Sequence, residues 1–327
     1  MQSLVSLISV LGLLFAAGAT LAPAEPRAPD TPVASDGRSF LSAEATPGQE
    51  QGRVSFEGFA PQGVADDSLA SLPAAMETPE EYALLLQRKP KTASGAVETI
   101  LGADFRSQFS TTSYPHRAMG LITFAQAGKS LICTGWLISP NTVATAGHCV
   151  HTGGPNGSWS TNVVFYPGRN GPASPYGSCT ATRLFSVAGW IDSSLETSDY
   201  GAFKLNCSIG NTVGWFSWWA QTNSLDNQHA LVAGYPSDKP LEQWGSFGVI
   251  TATETSQLFY FNDTGGGMSG APVYQPDRRG SFCQGVCAMA IHTNGIHGSG
   301  NHATQNHGTR IVQTVSDNFL AWVAAAP

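Results

Sequence analysis

Charge is scarce in this chain, and positive charge never gathers. Only 12% of its 327 residues are Asp, Glu, Lys or Arg. No basic stripe forms, so nucleic acid is not an expected partner. Cysteine is absent before residue 130, and residues 25–98 are poor in aromatics. Beyond Leu4–Ala19 no apolar run is long enough to cross a bilayer. That run has no Lys or Arg before it, is short for a span, and leads to the small residues Ala22-Pro23-Ala24. Residues 1–24 therefore read as a secretory signal peptide and the product as secreted and extracellular, with a retained anchor as the alternative. No membrane partner is expected after processing.

The missing aromatics also divide the chain. Residues 25–98 are rich in Pro, Ala, Glu and Ser and hold 12 acidic against 6 basic residues. Such a composition buries little surface and reads as a largely disordered pro-segment. Within it, Thr78-Pro79-Glu80-Glu81 predicts one short helix through Leu86. Residues 99–327 have the opposite character. Short apolar runs (Ala118–Phe124, Ile132–Ile138, Asn162–Tyr166, Gly201–Leu205, Ala230–Gly234, Gly285–Ile291) alternate with Gly/Pro/Asn/Ser clusters. This predicts many short strands in a barrel or sandwich. Val315, Phe319, Leu320 and Val323 fall at helical spacing and predict a C-terminal helix over 314–323.

Six cysteines in an exported chain point to disulfides, with 15 conceivable pairings. Cys283 and Cys287 are close enough for a small local loop, and the others do not complete a zinc ribbon. His292, His297, His302 and His307 recur every five residues, which is neither a helix nor a strand period. Their Gly/Asn/Ser surroundings read as loop, and neither a metal nor any cofactor is expected. Trp215, Trp218 and Trp219 with Phe216 read as core packing.

Three segments carry the groups that acyl transfer requires. They are Thr145-Ala146-Gly147-His148-Cys149, Asp199-Tyr200-Gly201-Ala202 and Gly265-Gly266-Gly267-Met268-Ser269-Gly270-Ala271-Pro272. A serine hydroxyl needs an imidazole to take its proton, and the imidazole needs an acceptor at its other nitrogen. In motif and in His…Asp…Ser order, residues 99–327 resemble the chymotrypsin-like serine peptidases. The resemblance implies two six-stranded antiparallel β-barrels with the site between them. It implies His148 as base, Asp199 as orienting acid, Ser269 as nucleophile, and the Gly267 and Ser269 amides as oxyanion donors. It also implies a Cys133–Cys149 disulfide; with Cys283–Cys287 as the local loop, Cys179–Cys207 is left. Met268 stands where trypsin-like zymogens carry an Asp, so activation through that ion pair is excluded.

The chain is most similar to the glutamyl endopeptidase branch of that family. The similarity runs through Ser139–Cys149, Pro167–Gly171, Ile209–Gly214, His292–Gly295 and Gly308–Ile311. It implies that His292, as an imidazolium, and Thr264 bind a substrate glutamate or aspartate. It further implies a cut after Glu98 that frees the amino group of Thr99 to help; Arg88–Lys91 is the alternative processing region. Asp263 conflicts, because trypsin-like enzymes use an Asp at that place to select Lys or Arg, and such a preference is the alternative specificity. A protease-like binding protein without turnover is the alternative function. A monomer acting on proteins or peptides is expected.

Overall fold

Turn residues cut the chain after residue 99 into segments rich in β-branched and aromatic residues, which pleat well and are too short for stable helices. The computed structural model describes residues 26–38, 40, 55–61, 98–279 and 283–327. The proposed signal peptide, the short helix expected at 78–86 and most of the pro-segment lie outside those residues.

Two strands come from the N-terminal stretch, β1 (Pro32–Ala34) and β2 (Ser55–Phe56), and β3 (Ser107–Gln108) follows. Next come β4 (Met119–Gln126), β5 (Lys129–Ser139), β6 (Thr142–Thr145), β7 (Thr161–Pro167), β8 (Cys179–Val187) and β9 (Gly201–Leu205). They pair in the order β8-β7-β4-β5-β6-β9, and β8 also pairs with β9, closing a barrel. A linker holding β10 (Ser217–Trp219) leads to β11 (His229–Gly234), β12 (Trp244–Thr253), β13 (Gln257–Tyr260), β14 (Pro272–Arg279), β15 (Gln284–Asn294) and β16 (Asn306–Arg310). These form a second barrel, ordered β14-β11-β12-β13-β16-β15 and closed by β14 against β15. The two six-stranded antiparallel barrels expected from the resemblance are the fold. Closure leaves few unpaired edges, which is what makes so many short strands stable together.

The barrel interiors follow the strand period. In β7, Val163, Phe165 and Pro167 are buried while Val164 and Tyr166 between them are half-buried. β5 is buried on both faces from Leu131 onward. Its outer face lies under the C-terminal helix Gln313–Ala324, which packs on β5, β6 and β9. Phe319 of that helix meets Trp136 at 6.0 Å and Trp218 at 5.5 Å between ring centroids, both edge-to-face. Phe216 and Trp218 are fully buried, so the tryptophan cluster is core.

Two short strands fall within residues 25–98, the stretch expected to be largely disordered. β1 pairs antiparallel with the end of β8 (Val33 opposite Ser186), and β2 with β10 (Trp218 opposite Phe56). Strand addition uses backbone groups, so it needs no apolar side-chain pattern.

The cysteines pair as Cys133–Cys149, Cys179–Cys207 and Cys283–Cys287. The first ties β5 to the turn carrying His148 across a separation of 16 residues. A loop of that size contributes about 3 kcal/mol. Replacing both Cys133 and Cys149 with serine is expected to lower the melting midpoint by roughly 6–12 °C in scanning calorimetry. A change of under about 2 °C would show that the loop is held by packing alone.

Candidate active site

His148 lies in a one-turn helix (Gly147–Val150) directly after β6, and Asp199 ends a 3-10 turn (Glu196–Ser198) directly before β9. β6 and β9 are paired, with Thr145 opposite Gly201, so the two residues meet at the same end of the first barrel. The His148 backbone N–H donates to Asp199 Oδ1 at 2.8 Å, and His148 Nδ1 lies 2.7 Å from Asp199 Oδ2. The grip is reinforced from the second barrel, where Thr309 Oγ1 donates to the Asp199 carbonyl at 3.1 Å. Burial alone would depress the His148 pKa. The charge and hydrogen bond of Asp199, with the charge of Glu98, outweigh it and raise the pKa.

Ser269 sits in the tight loop before β14. Two glycines make that loop possible. Gly267 has φ +100°, and a Cβ there would lie 2.5 Å from the Tyr235 carbonyl oxygen. Gly270 has φ +86°, and a Cβ would lie 2.2 Å from both the Thr134 carbonyl oxygen and Thr145 Oγ1. Both conformations exclude a side chain. The first barrel holds the loop: the Thr134 N–H donates to the Ser269 carbonyl at 2.8 Å, and Thr134 Oγ1 to the Gly267 carbonyl at 2.9 Å. Met268 is buried in the core of the second barrel.

The Ser269 hydroxyl faces a carboxylate of its own chain. Ser269 Oγ donates to Glu98 Oε1 at 2.5 Å, and the same oxygen lies 3.6 Å from His292 Nε2. His148 Nε2 is buried without a hydrogen-bond partner among the described residues. Burial raises the Glu98 pKa to about 7, against the pull of the Ser269 hydrogen bond, the His148 charge and the nearby Met268 and Ser269 amides. A folded pKa above the unfolded 4.5 means that docked Glu98 keeps its proton where the unfolded chain has lost it. Its contribution is complete below about pH 4.5 and is lost as pH rises through about 7. In a Ser269→Ala chain, stability is expected to fall between pH 5 and 8 by up to roughly 3 kcal/mol more than in the same chain with Glu98→Gln. Removing the serine takes away a hydrogen bond that lowers the pKa, so the sign is unchanged. Parallel pH curves in calorimetry would refute the assignment.

The other pocket residues group around Glu98 and Thr99. His292 is fully buried at the end of β15, with Nδ1 2.7 Å from Tyr260 Oη. Burial, with the His307 and His148 charges, lowers its pKa to about 3. The imidazolium expected from the sequence is thereby corrected to a neutral ring. Burial holds the Tyr260 phenol protonated, and a phenol that gives this proton to Nδ1 leaves the ring's own proton on Nε2, facing Glu98. Thr264 Oγ1 is buried with no partner among the described residues. The Thr99 N–H donates to Asn306 Oδ1 at 3.1 Å, and its carbonyl accepts from Asn306 Nδ2 at 2.6 Å and from the Thr264 N–H at 3.2 Å. Asp263 has another occupation: its two oxygens accept the Leu101 and Phe105 amides at 2.7 and 2.8 Å.

Tyr260 and Asn306 carry no motif, and neither stands out in the sequence. The histidine spacing misleads. His297, His302 and His307 lie together beside Glu196, because a hairpin folds back between them and residues five apart need not share one element. Only His292 stays apart.

The family model for trypsin matches residues 107–323. The chain is 39% identical over 242 residues to a glutamyl endopeptidase of Bacillus licheniformis, spanning 73% of this chain and 74% of that one. It is also 39% identical over 230 residues to a Bacillus subtilis protein named extracellular metalloprotease, spanning 68% and 69%. A solved Glu endopeptidase in complex with MPD superposes with a TM-score of 0.60 at 28% identity, covering 69% of this chain and all of that one. The protease Anisep from Arthrobacter nicotinovorans shares the fold, with a TM-score of 0.55 at 22% identity over 67% of this chain and 100% of that one.

Proposed function

Because this chain belongs to the trypsin family and is a serine endopeptidase, we propose that it is exported and cuts peptide bonds after glutamate. In this reading residues 25–98 are a pro-segment removed at the Glu98–Thr99 bond. One observation carries the specificity: the chain seats its own Glu98 side chain between Ser269 and His292. No other acidic side chain is so placed among the described residues.

His148 takes the proton of Ser269 as the hydroxyl attacks the scissile carbonyl, and Asp199 holds the ring and stabilises its charged form. The Gly267 and Ser269 amides receive the developing oxyanion, each worth about 3 kcal/mol. As the oxyanion collapses the C–N bond breaks and His148 gives its proton to the departing amine; water, deprotonated in turn by His148, then hydrolyses the acyl-enzyme and frees Ser269. A substrate glutamate finds two donors in a dry pocket, His292 Nε2–H and Thr264 Oγ1–H. In the uncut chain Ser269 gives its hydroxyl to Glu98 and not to His148, which keeps the precursor idle. For the Glu98–Thr99 bond to be cut, the carboxylate shifts from Ser269 onto His292 and Thr264. Thr99 is already anchored by Asn306 and Thr264, so its freed ammonium appears beside the bound carboxylate. The rival preference for Lys or Arg has little support, since both oxygens of Asp263 serve the 101–105 loop.

The test is a peptide library digested by the processed enzyme. Cuts after Glu should dominate, and His292→Leu should lower kcat/KM for Glu substrates by on the order of 100-fold. Dominant cuts after Lys or Arg would overturn the reading.

A further inference from the structure

The hairpin joining β15 to β16 brings three imidazoles against one carboxylate, about which the peptidase chemistry says nothing. The ring centroids of His297, His302 and His307 stand 4.5–5.1 Å apart. Their ligand atoms and one oxygen of Glu196 all lie within 4.8 Å of one another. His297 Nε2 is 3.1 Å from Glu196 Oε2, and His307 Nε2 bonds the other oxygen. His302 Nε2 lies 3.2 Å from Gln257 Oε1, and Asn294 Nδ2 and Gln257 Nε2 donate to Glu196 Oε1 at 3.2 and 3.3 Å. His307 is fully buried, and its Nδ1 has no partner among the described residues.

We propose that His297, His302, His307 and Glu196 bind one zinc ion. Three neutral imidazoles and a carboxylate are a borderline-soft N/O set that suits zinc, whereas calcium and magnesium require oxygen ligands. A tetrahedron with bonds of about 2.05 Å has edges of about 3.3 Å. The contacts of Glu196 with His297 and His307 are already that short. His302 completes the set by leaving Gln257. Four protein ligands leave no open position for water, so the ion is structural and takes no part in hydrolysis. Its place gives it a use. Glu196 opens the 3-10 turn that runs into Asp199 in the first barrel, while all three histidines come from the hairpin of the second. The ion pins the loop of the orienting acid to the opposite barrel.

The full chain carrying Ser269→Ala, which prevents self-cleavage, is stripped with a chelator, exposed to Zn²⁺ and dialysed. One equivalent of zinc should remain by atomic emission, and the melting midpoint should rise relative to the stripped protein. Co²⁺ in place of zinc should give the intense visible bands of a four-coordinate ion. His302→Ala and His297→Asn, each checked for folding by circular dichroism, should weaken zinc binding by more than about 100-fold in competition with a chromophoric chelator and abolish the midpoint rise. His229→Ala, at an exposed histidine elsewhere, should retain both. The proposal fails if the folded parent retains no zinc, if both variants retain it as the parent does, or if cobalt gives only weak six-coordinate bands.

Discussion

Replacing Ser269 with alanine is expected to lower kcat by roughly a million-fold, the loss seen when a serine peptidase's nucleophile is removed. The residue has no substitute within reach. His148 Nε2 is buried without a hydrogen-bond partner among the described residues, and a base with no hydroxyl to deprotonate leaves only the oxyanion donors and binding to act on bound peptide. The three groups act as a unit, so the loss should not be additive. Ser269→Ala with His148→Ala should be no worse than Ser269→Ala alone, and Asp199→Asn alone should cost about 10⁴-fold. Steady-state turnover of a chromogenic peptide gives these values, and mass spectrometry should show the Ser269→Ala precursor uncut at Glu98–Thr99. Residual turnover above about 1% of the parent would mean that another nucleophile carries the reaction.

Glu98→Lys should stop removal of the pro-segment by the chain itself, with a fall of about 10⁴-fold in cleavage at that bond. The pocket offers donors to the side chain, and a lysine ammonium has no lone pair to receive them. It would also be buried against His148, whose own pKa is already raised. The substitution tests itself against misfolding. Added trypsin, which cuts after lysine, should open the bond ahead of Thr99 in this variant and restore activity on peptides. A precursor that processes there unaided at the parent's rate would show that Glu98 is not read by this site.

Most of the fold was legible because closed barrels of short strands leave a plain trace. Each of the apolar runs named above lies in a strand, most extended by one to three residues at one or both ends where pairing continued, and β4 begins one residue late at Met119. Gly201–Leu205 matches to the residue. The C-terminal helix was placed by its period, although one of its two fully buried rings, Trp322, was not among the residues that revealed it. His148, Asp199 and Ser269 were readable because acyl transfer fixes residue types and order. The rest depends on contacts between distant segments. β1 and β2 are invisible in their own sequence, since what selects them is the free edge of another strand. Tyr260 matters only because a β13 side chain happens to face a β15 histidine. The histidine cluster shows the limit of period arguments, which hold within one element and fail across a reversal of the chain.

The two N-terminal strands have a final consequence. β1 is held along the first barrel, through Asp30, whose carboxylate accepts from Tyr200 Oη at 3.0 Å and whose carbonyl accepts from Asn318 Nδ2 at 3.0 Å, while β2 lies along β10, which is itself paired to the second barrel. If the chain is cut after Glu98 as proposed, one covalent bond breaks and none of these. The severed leader is therefore a tenant with its lease intact: it departs by dissociation, at a rate set by strand pairing, after the chemistry is over. Maturation then has two clocks, and dilution or digestion of the leader advances only the second.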